Sequence, residues 1–489
     1  MCKPRLTLIY HYLTQLTKMT DHVDSPEQKR IKLIKIRIDN ESSPTFCLAK
    51  WHHVTLYLQT GETHSCYHPR PHKIPLAELK DNPGALHNTM EKKQERKLML
   101  AGEKPPGCQY CWSVESMGPE YVSDRYIRNS SIFTEERFKE TAKAPWDTNI
   151  NPEYLEINFG NECNFKCGYC HPKYSTRYFN EIKEHGPVTS VVNHRCDIDW
   201  MTLYQREEEN PYVDAFWKWW PELRKTLNIM RITGGEPLMH RSTWQVLDEL
   251  DKEPLPELEL NINSNLGGKN SVVQRLTDKV SLLLAEKKIG KFKLFTSMDT
   301  WGPRAEYIRT GLDLTLWEQN FHTYLTQTSS PITFMMTFNL LSVTTFKTLL
   351  EKILEWRKIY AWYDDPINPQ HRVRFDTPYL RDPIQYDMNI LPKADFMPYM
   401  YESLKFMADN VDDTSGEKFS SVEYDKFKRV VDYMETTVYT DEKLIEGRRD
   451  FYNWFNELDE RRDTDMLSIF PELLPFYRLC QETNLIHPK

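Results

Sequence analysis

The chain has 489 residues, of which 39% are hydrophobic, so it is long enough for two or three domains with buried cores. Its formal net charge is -8 with both signs interspersed, which argues against general nucleic-acid binding because such binding needs a basic face. No stretch approaches the roughly 18 to 20 consecutive apolar residues that a membrane span requires.

The first residues contain a short apolar run from Leu6 to Leu13. Polar residues interrupt it and no small-residue cleavage site follows, so it does not match a signal peptide. We interpret it as a short helix or strand, or as leader sequence upstream of a start at Met19. Further along, 31–38 and 51–58 are predicted to be strands.

Four cysteines surround and follow this second strand. Thirteen residues separate Cys47 from Gly61, four more precede Cys66, and Cys108 and Cys111 form a CxxC pair after a Pro-Pro-Gly turn. Four cysteines in two pairs indicate a closed metal site, and the sequence alone leaves zinc and iron-sulfur open. Nearby histidines offer zinc an alternative ligand set: His52, His53, His64, His68 and His72.

The use of cysteine indicates the compartment. The chain has ten cysteines, far fewer in proportion than a disulfide scaffold. Seven of them fall into two clusters with ligand-like spacing, whereas Cys2, Cys196 and Cys480 are scattered singly. This usage is typical of metal binding in a reducing compartment, so we expect a cytoplasmic protein.

The second cysteine cluster follows an apolar run, 154–159, that is predicted to be a strand. Cys163, Cys167 and Cys170 form a CxxxCxxC motif, and Gly168 permits a tight turn between the last two thiols. Three thiolates on a loop can bind one corner of an iron-sulfur cubane and leave one metal open to another ligand. The alternatives are three cysteines that only pack, or a zinc site completed by His171.

A second motif, Ile232-Thr-Gly-Gly-Glu-Pro237, follows another predicted strand. Gly234 and Gly235 expose backbone polar groups at the end of that strand, and Glu236 adds a carboxylate. Alone, the tetrapeptide Gly-Gly-Glu-Pro in this motif indicates only a strand-to-helix turn. Its position one strand after CxxxCxxC makes the combination informative.

Together the two motifs resemble those of the radical S-adenosylmethionine superfamily. The resemblance implies that Cys163, Cys167 and Cys170 hold a four-iron, four-sulfur cluster, and that the Gly234-Gly235-Glu236 segment holds the amino group of S-adenosylmethionine. It further implies cofactor contacts for Ser297 and Arg309, in a Ser-x-Asp...Arg arrangement, with Arg304 as the rival arginine. Tyr169 is similar to the aromatic residue that packs near the adenine.

The first cysteine cluster resembles the opening pattern of the SPASM and twitch auxiliary domains of the same superfamily. The resemblance implies that Cys47, Cys66, Cys108 and Cys111 bind a second four-iron, four-sulfur cluster, with zinc as the alternative. The region here precedes the predicted core, whereas in those relatives it follows the core.

From Tyr154 onward, short apolar runs alternate with helical patterns. The strands are predicted at 154–159, 228–233, 257–263, 292–298, 332–339 and 372–376, and the helices near 212–227, 242–251, 269–287, 313–327 and 343–360. This alternation predicts an α/β fold with a parallel sheet, which the resemblance specifies as a partial six-stranded (βα) TIM-like barrel. Polar segments at two further strand ends, 261–265 and 295–299, are expected near the cofactor.

The predicted organisation has three parts. Residues 1–145 form an N-terminal cysteine-rich auxiliary metal-binding region, 150–383 the core, and 384–489 a C-terminal helical cap. The stretch 132–151 shows little periodicity and marks the first boundary. Three long helical patterns are predicted in the last part, at 396–410, 421–435 and 441–461.

The predicted function is that of a radical S-adenosylmethionine enzyme. The resemblance implies reductive cleavage of the cofactor to a 5'-deoxyadenosyl radical, which abstracts hydrogen from a substrate, and an electron donor such as flavodoxin or ferredoxin. Relatives with auxiliary clusters commonly modify peptides or proteins, which makes these the first substrate class. A nucleotide or small metabolite is the alternative substrate, and a non-catalytic metal-stabilised interaction module is the alternative function.

Overall fold

The structure is a computed structural model that describes residues 26–118, 121–188, 190–192, 198, 204, 206–360 and 371–488. The apolar run from Leu6 to Leu13, the possible start at Met19, and Cys2 and Cys196 lie outside these described residues. Among the described residues, no helix is both long and apolar enough to cross a membrane.

Within the described residues, nine strands, numbered β1 to β9 in chain order, form one mostly parallel sheet in an α/β fold. In the sheet, β3 is followed by β2 and β1, and then by β4 to β9 in chain order. The strands are His53–Tyr57, Glu62–His64, His72–Lys73, Tyr154–Asn158, Ile229–Thr233, Leu255–Asn263, Ile289–Ser297, Ile332–Met335 and Val373–Asp376.

The six strands predicted from Tyr154 onward are confirmed as β4 to β9, with shifts at their ends. Each pairs in parallel with the next, so all six carboxyl ends lie at the same edge of the sheet. The largest shift is in β8, which ends at Met335 although the apolar pattern continues to Asn339. The predicted helices between these strands are also present, as Pro211–Leu223, Arg241–Lys252, Asn270–Ala285, Leu314–Gln327 and Phe346–Ile359.

Local sequence explains why these helices begin and pack as they do. Asn210 caps the first of them by accepting hydrogen bonds from the backbone N–H groups of Tyr212 and Val213 at 2.9 and 3.4 Å. Pro211 occupies the first helical turn, where a missing N–H costs nothing. In Asn270–Ala285, buried Leu276 and Val280 are four residues apart and therefore share one face.

The strand predicted at 31–38 is wrong, because this segment belongs to a helix, Pro26–Glu41. Ile31, Ile34 and Ile38 are buried, whereas Leu33 and Ile36 are 65% and 55% exposed. Burial every three or four residues is the periodicity of a helix, and the basic residues between the isoleucines occupy its solvent face.

The rest of the N-terminal part consists mainly of short helices. The stretch 132–151, predicted to lack periodic structure, contains the helix Glu135–Lys143, which Thr134 caps and which buries Phe138. The other helices in this part are Ala49–His52, Leu76–Leu79, Met90–Leu100, Gln109–Glu115 and Asp124–Ile132, with 3-10 turns at Pro83–Leu86 and Pro106–Cys108.

The three long helices predicted near the C-terminus are confirmed as Lys393–Asp409, Ser421–Thr436 and Asp441–Arg462. Two further helices, Met466–Ile469 and Leu474–Ile486, follow them. Shorter helices also occur inside the sheet region, at Thr176–His185 and Pro303–Ile308, and 3-10 turns at Pro172–Tyr174, Glu207–Glu209, Pro237–Met239, Leu340–Ser342, Ile384–Tyr386, Met388–Ile390 and Pro471–Leu473.

The chain divides into two compact units. Unit 1 contains the described residues up to Val54, His64–His72 and His87–Glu153. Unit 2 contains Thr55–Thr63, Lys73–Leu86 and the described residues from Tyr154 onward. Unit 1 has its own apolar core, in which the rings of Phe46 and Trp51 pack against each other with their centroids 4.9 Å apart.

Candidate functional site

The CxxxCxxC motif lies on an irregular loop that follows β4. Cys163 and Cys167 are buried, and Cys170 is partly exposed. The backbone N–H of Cys170 donates to the carbonyl of Cys167 at 3.0 Å, which closes a turn between the last two thiols as predicted. A loop of this kind can direct three side chains toward one point, which a helix cannot do at this spacing.

Gly168 sits inside that turn because no larger residue fits. A Cβ atom at this position would lie 2.1 Å from the hydroxyl oxygen of Tyr386. The Tyr386 hydroxyl in turn accepts a hydrogen bond of 3.1 Å from the indole N–H of Trp454, in the helix Asp441–Arg462. The close approach of these aromatic residues therefore requires glycine between the two thiols.

The three thiols occupy an environment that disfavours their ionised form. Burial raises the pKa of the Cys163 thiol, and the neighbouring sulfur atoms of Cys167 and Cys170 raise it further. Burial also raises the pKa of the Cys167 thiol. Thiolates are the form that binds metal, so a positively charged group has to stabilise three thiolates here.

The spacing of the sulfur atoms bears on which metal they could hold. Among the described residues, no three cysteine sulfurs lie all within 4.8 Å of one another. Four thiolates around one zinc ion would be about 3.8 Å apart, given a Zn–S bond of about 2.3 Å and tetrahedral geometry. His171, the alternative zinc ligand, uses its Nδ1 to accept a hydrogen bond of 3.1 Å from the backbone N–H of Lys173.

The Gly-Gly-Glu segment after β5 packs directly on the loop that leads into the cysteines. Gly234 has a φ of +124°, and a Cβ on Gly235 would lie 2.3 Å from the carbonyl oxygen of Glu162. The backbone N–H of Glu236 donates to the same carbonyl at 2.7 Å. Both glycines are therefore needed to bring the two loops together.

The carboxylate of Glu236 is almost fully buried, at 2% exposure. It accepts hydrogen bonds from the Ser264 hydroxyl at 2.8 Å and from the backbone N–H groups of Asn265 and Leu238 at 2.6 and 3.2 Å. Burial raises the pKa of Glu236 to about 7, although these hydrogen bonds oppose the shift. The end of β6 therefore supports the carboxylate that follows β5.

A second polar cluster connects the cysteine loop with the end of β7. The Tyr169 hydroxyl donates to Asp299 at 2.7 Å, and the Arg309 guanidinium donates to the same carboxylate at 2.9 Å. The backbone N–H of Thr337 adds a third bond at 2.9 Å. The positive charge of Arg309 partly offsets the effect of burial on the Cys167 thiol.

The structure places the two candidate arginines differently. Arg309 lies beside Tyr169 and Cys167, whereas Arg304 donates to the carbonyl of Ile469 at 3.0 Å and to Glu472 at 2.9 Å. Ser297 is the last residue of β7, where it pairs with Met335 and is partly exposed.

Two asparagines lie near the motif, and only Asn161 was not singled out from the sequence. Asn161 is 1% exposed, and neither its amide nitrogen nor its amide oxygen has a hydrogen-bond partner among the described residues. Asn265 belongs to the polar segment 261–265 that was expected near the cofactor. Its amide nitrogen lies 3.9 Å from the sulfur of Cys163 and 2.7 Å from the side-chain oxygen of Asn164. The position of Asn161, two residues before the first cysteine, is the signal that the sequence offers for it.

In unit 1, the four N-terminal cysteines come together. Cys47, Cys66, Cys108 and Cys111 line a single small cavity, although they lie on separate loops and helices. The thiols of Cys66 and Cys108 also raise the pKa of the Cys47 thiol, which burial raises most.

Positively charged and polar groups surround this cavity. Lys50 and Arg125 both line it, although they are only 2% and 3% exposed. Lys50 pairs with Glu95 at 2.6 Å, and Arg125 donates to the carbonyl of Phe46 at 2.7 Å. Arg125 also pairs with Glu115 at 2.9 Å, so each cation has a carboxylate partner. The charge of Arg125 nevertheless partly offsets the rise in the pKa of the Cys47 thiol.

Of the five histidines considered as zinc ligands, only His68 lines the four-cysteine cavity. Its Nε2 bonds to Asp124 at 2.6 Å. Burial lowers the pKa of the other four, His52, His53, His64 and His72, to about 3. His52 and His72 bond to threonine hydroxyls, each at 2.8 Å.

No protein-family model and no curated protein matches the chain. The resemblance to the radical S-adenosylmethionine superfamily therefore depends on the motifs in the sequence and on the contacts described above.

Proposed function

We propose that the chain is a radical S-adenosylmethionine enzyme whose strands β4 to β9 form the partial barrel of that superfamily. The observation that carries the proposal is the meeting of three segments at one edge of the sheet. The cysteine loop follows β4, the Gly-Gly-Glu segment follows β5, and Asp299 follows β7. Functional groups in parallel sheets of this kind gather at the carboxyl ends of the strands.

The residues present fit an iron-sulfur cluster. Three thiols lie on one loop, and Cys167 and Cys170 are near enough to Cys163 to raise the pKa of its thiol. Three neighbouring thiolates on a loop suit a cluster in which each binds a different iron. Cys163, Cys167 and Cys170 would hold the cluster and leave one iron for S-adenosylmethionine.

Other residues of the chain would hold the cofactor itself. The carboxylate of Glu236, held by Ser264 and Asn265, would accept hydrogen bonds from the cofactor's ammonium group, and Gly234 and Gly235 let this segment lie against the cysteine loop. Tyr169, Ser297 and Arg309 would contact the rest of the molecule. When bound and reduced by the external donor, the cluster and cofactor would supply a 5'-deoxyadenosyl radical, with methionine as the other product, and that radical would abstract hydrogen from substrate.

The N-terminal cysteines would bind a second iron-sulfur cluster. Their shared cavity contains two buried cations, Lys50 and Arg125, which suit the negative charge of a cluster with four thiolate ligands. Such a cluster would transfer electrons or bind substrate.

The C-terminal helices would act as a cap that excludes water from the cysteine loop. Tyr386, Phe455 and Leu458 lie against Gly168, and Trp454 bonds to Tyr386. Arg462, in the same helix, pairs with Glu181 at 2.8 Å. A dry environment protects a reactive radical from side reactions.

The resemblance suggests a peptide or protein as substrate and flavodoxin or ferredoxin as electron donor. The alternatives are a nucleotide or small metabolite as substrate, and a non-catalytic metal-stabilised module. Cleavage of S-adenosylmethionine distinguishes the enzyme hypothesis from the module hypothesis, because only an enzyme would cleave the cofactor.

The test is cofactor cleavage by anaerobically reconstituted protein after reduction with dithionite. We expect 5'-deoxyadenosine and methionine from the wild type and none from Cys167→Ala. Cys480→Ala is the matched control, because Cys480 is a buried cysteine of the helix Leu474–Ile486. Normal cleavage by Cys167→Ala, or none by the wild type, would reject the proposal.

A further inference from the structure

Three side chains beside the cysteine loop form a separate cluster of potential metal ligands. One ligand atom from each of Glu162, Glu207 and His240 lies within 4.8 Å of the other two. Among the described residues, no other group of three or more cysteines, histidines and carboxylates meets this criterion. The three residues come from different segments, namely the loop after β4, the 3-10 turn Glu207–Glu209, and the segment after the Gly-Gly-Glu motif.

His240 has the orientation of a metal ligand. Its side chain is 1% exposed, and its Nε2 lies 3.3 Å from the backbone carbonyl of Glu162 and 3.5 Å from Oε2 of the same residue. Donation of the Nε2 hydrogen to that carbonyl leaves the lone pair on Nδ1, which has no hydrogen-bond partner in the part of the chain that the structure describes and lies 4.0 Å from a carboxylate oxygen of Glu207. Histidines that bind metals usually donate their other N–H to a carbonyl or carboxylate in this way.

Glu207 is held so that one oxygen faces His240. Its Oε2 accepts hydrogen bonds from both the backbone N–H, at 2.9 Å, and the hydroxyl of Ser242. Its Oε1 is the atom that faces the histidine Nδ1. The lone pair on Nδ1 of His240 and Oε1 of Glu207 are both acceptors, and they face each other in a largely buried place. A cation between them would remove this unfavourable contact.

Gly160 leaves the space that a cation would need. A Cβ atom at this position would lie 2.4 Å from Oε2 of Glu162 and 3.0 Å from Nδ1 of His240. A side chain at position 160 would crowd both ligand groups, so its absence leaves room beside them. Any larger residue at position 160 would occupy that room.

From this geometry we propose that Glu162, Glu207 and His240 bind one divalent metal ion, separate from the cysteine clusters. Two carboxylates and an imidazole suit a first-row dication such as Mn²⁺, Fe²⁺ or Zn²⁺. The negative charges of the two carboxylates balance the two positive charges of the ion. The bound ion ties the loop that enters the cysteine motif to two other segments, and it stabilises the position of that loop.

The test uses the full chain, purified anaerobically, and Mn²⁺ as the probe, because carboxylate and imidazole donors accept Mn²⁺ whereas thiolates prefer softer metals. Free Mn²⁺ is measured by its electron paramagnetic resonance signal during titration. We expect one Mn²⁺ per chain in the wild type. Loss of an outer-shell partner already costs about 10- to 100-fold in affinity, so Glu207→Gln should weaken binding by more than about 100-fold.

Two further variants complete the experiment. Gly160→Ala should block Mn²⁺ binding, because its methyl group would fill the space beside Glu162 and His240. Folding of each variant is judged by thermal melting. If Glu207→Gln fails to fold, the result for Gly160→Ala tests the proposal. Glu209→Gln is the charge-matched control, because Glu209 is exposed in the same 3-10 turn and pairs only with Arg206 among the contacts described. It should bind Mn²⁺ like the wild type.

Three results would overturn the proposal. The first is that the wild type binds no Mn²⁺ at millimolar concentration. The second is that either folded site variant still binds Mn²⁺ like the wild type, and the third is that Glu209→Gln loses as much affinity for Mn²⁺ as the site variants. The outcome is independent of the proposed enzymatic activity, since Mn²⁺ binding is measured without S-adenosylmethionine and without reduction.

Discussion

The hydroxyl of Tyr169 donates a hydrogen bond of 2.7 Å to Asp299, although 130 residues separate the two in sequence. Tyr169 lies between two cysteines of the core motif, and Asp299 follows β7. The bond therefore ties the cysteine loop after β4 to the end of β7, and Arg309, which directly follows the helix Pro303–Ile308, completes the cluster.

Replacing Tyr169 with phenylalanine should destabilise the protein. The change leaves buried Asp299 with one fewer donor, and hydrogen bonds to charged groups are worth about 1.5 to 3 kcal/mol. Urea titration under anaerobic conditions should show this loss in the free energy of unfolding. The control is Tyr477→Phe, which removes an exposed bond to Asn456. Equal effects of the two substitutions would contradict the importance of the Tyr169 bond.

Arg309→Ala should weaken binding of S-adenosylmethionine much more than Arg304→Ala. Arg309 lies beside Tyr169, and loss of a charge-assisted contact typically costs roughly ten- to a hundredfold in affinity. Arg304 instead pairs with Glu472 at 2.9 Å. Equilibrium binding to the reconstituted variants gives the comparison. The reverse ranking would assign the cofactor contact to Arg304.

Binding of S-adenosylmethionine should depend on pH through Glu236, whose pKa burial raises to about 7. Below that pH a proton occupies the carboxylate and competes with the cofactor's ammonium group, so the dissociation constant should rise about tenfold for each pH unit below about 7. Above it, the constant should level off. Glu236→Gln should bind weakly without this dependence, and Glu209→Gln should keep it. A flat wild-type profile from about pH 6 to pH 8 would exclude Glu236 from this role.

Iron content should distinguish two clusters from one. Two cubanes require about eight irons per chain, and replacing Cys108 and Cys111 with alanine should leave about four. Cys480→Ala should keep about eight, because this buried cysteine lies on a C-terminal helix in unit 2. One zinc with about four irons, in protein purified anaerobically without added metal, would identify the N-terminal site as a zinc site.

Gly168→Ala should destabilise the protein, and Tyr386→Phe should partly rescue it. The added methyl group would overlap the Tyr386 hydroxyl, and overpacking of this kind typically costs about 1 to 3 kcal/mol. Removing the hydroxyl creates room, although it sacrifices the bond from Trp454. Thermal melting of the two single variants and the double variant measures the coupling. Additive effects would mean that Tyr386 is not the obstacle.

The sequence alone predicted the alternation of strands and helices from Tyr154 onward, and the structure confirms it. Strong local periodicity made this possible, since each strand is a short apolar run and each helix repeats apolar residues every three or four positions. The same reasoning failed at Ile31, Ile34 and Ile38, where basic residues between isoleucines gave a run that resembles a strand. The secondary structure of that segment is set by burial of one helical face, and this burial depends on residues distant in sequence.

The sequence also supplied the seven cysteines and the Gly-Gly-Glu segment as candidates, because these residue types have few uses at such spacings. Only the tertiary structure decided which residues meet. It brings four cysteines to one cavity, places Arg309 rather than Arg304 beside Tyr169, and gathers Glu162, Glu207 and His240 from three segments. Contacts of this kind depend on how parallel strands order their loops along one edge of the sheet, and local sequence patterns carry no record of that order.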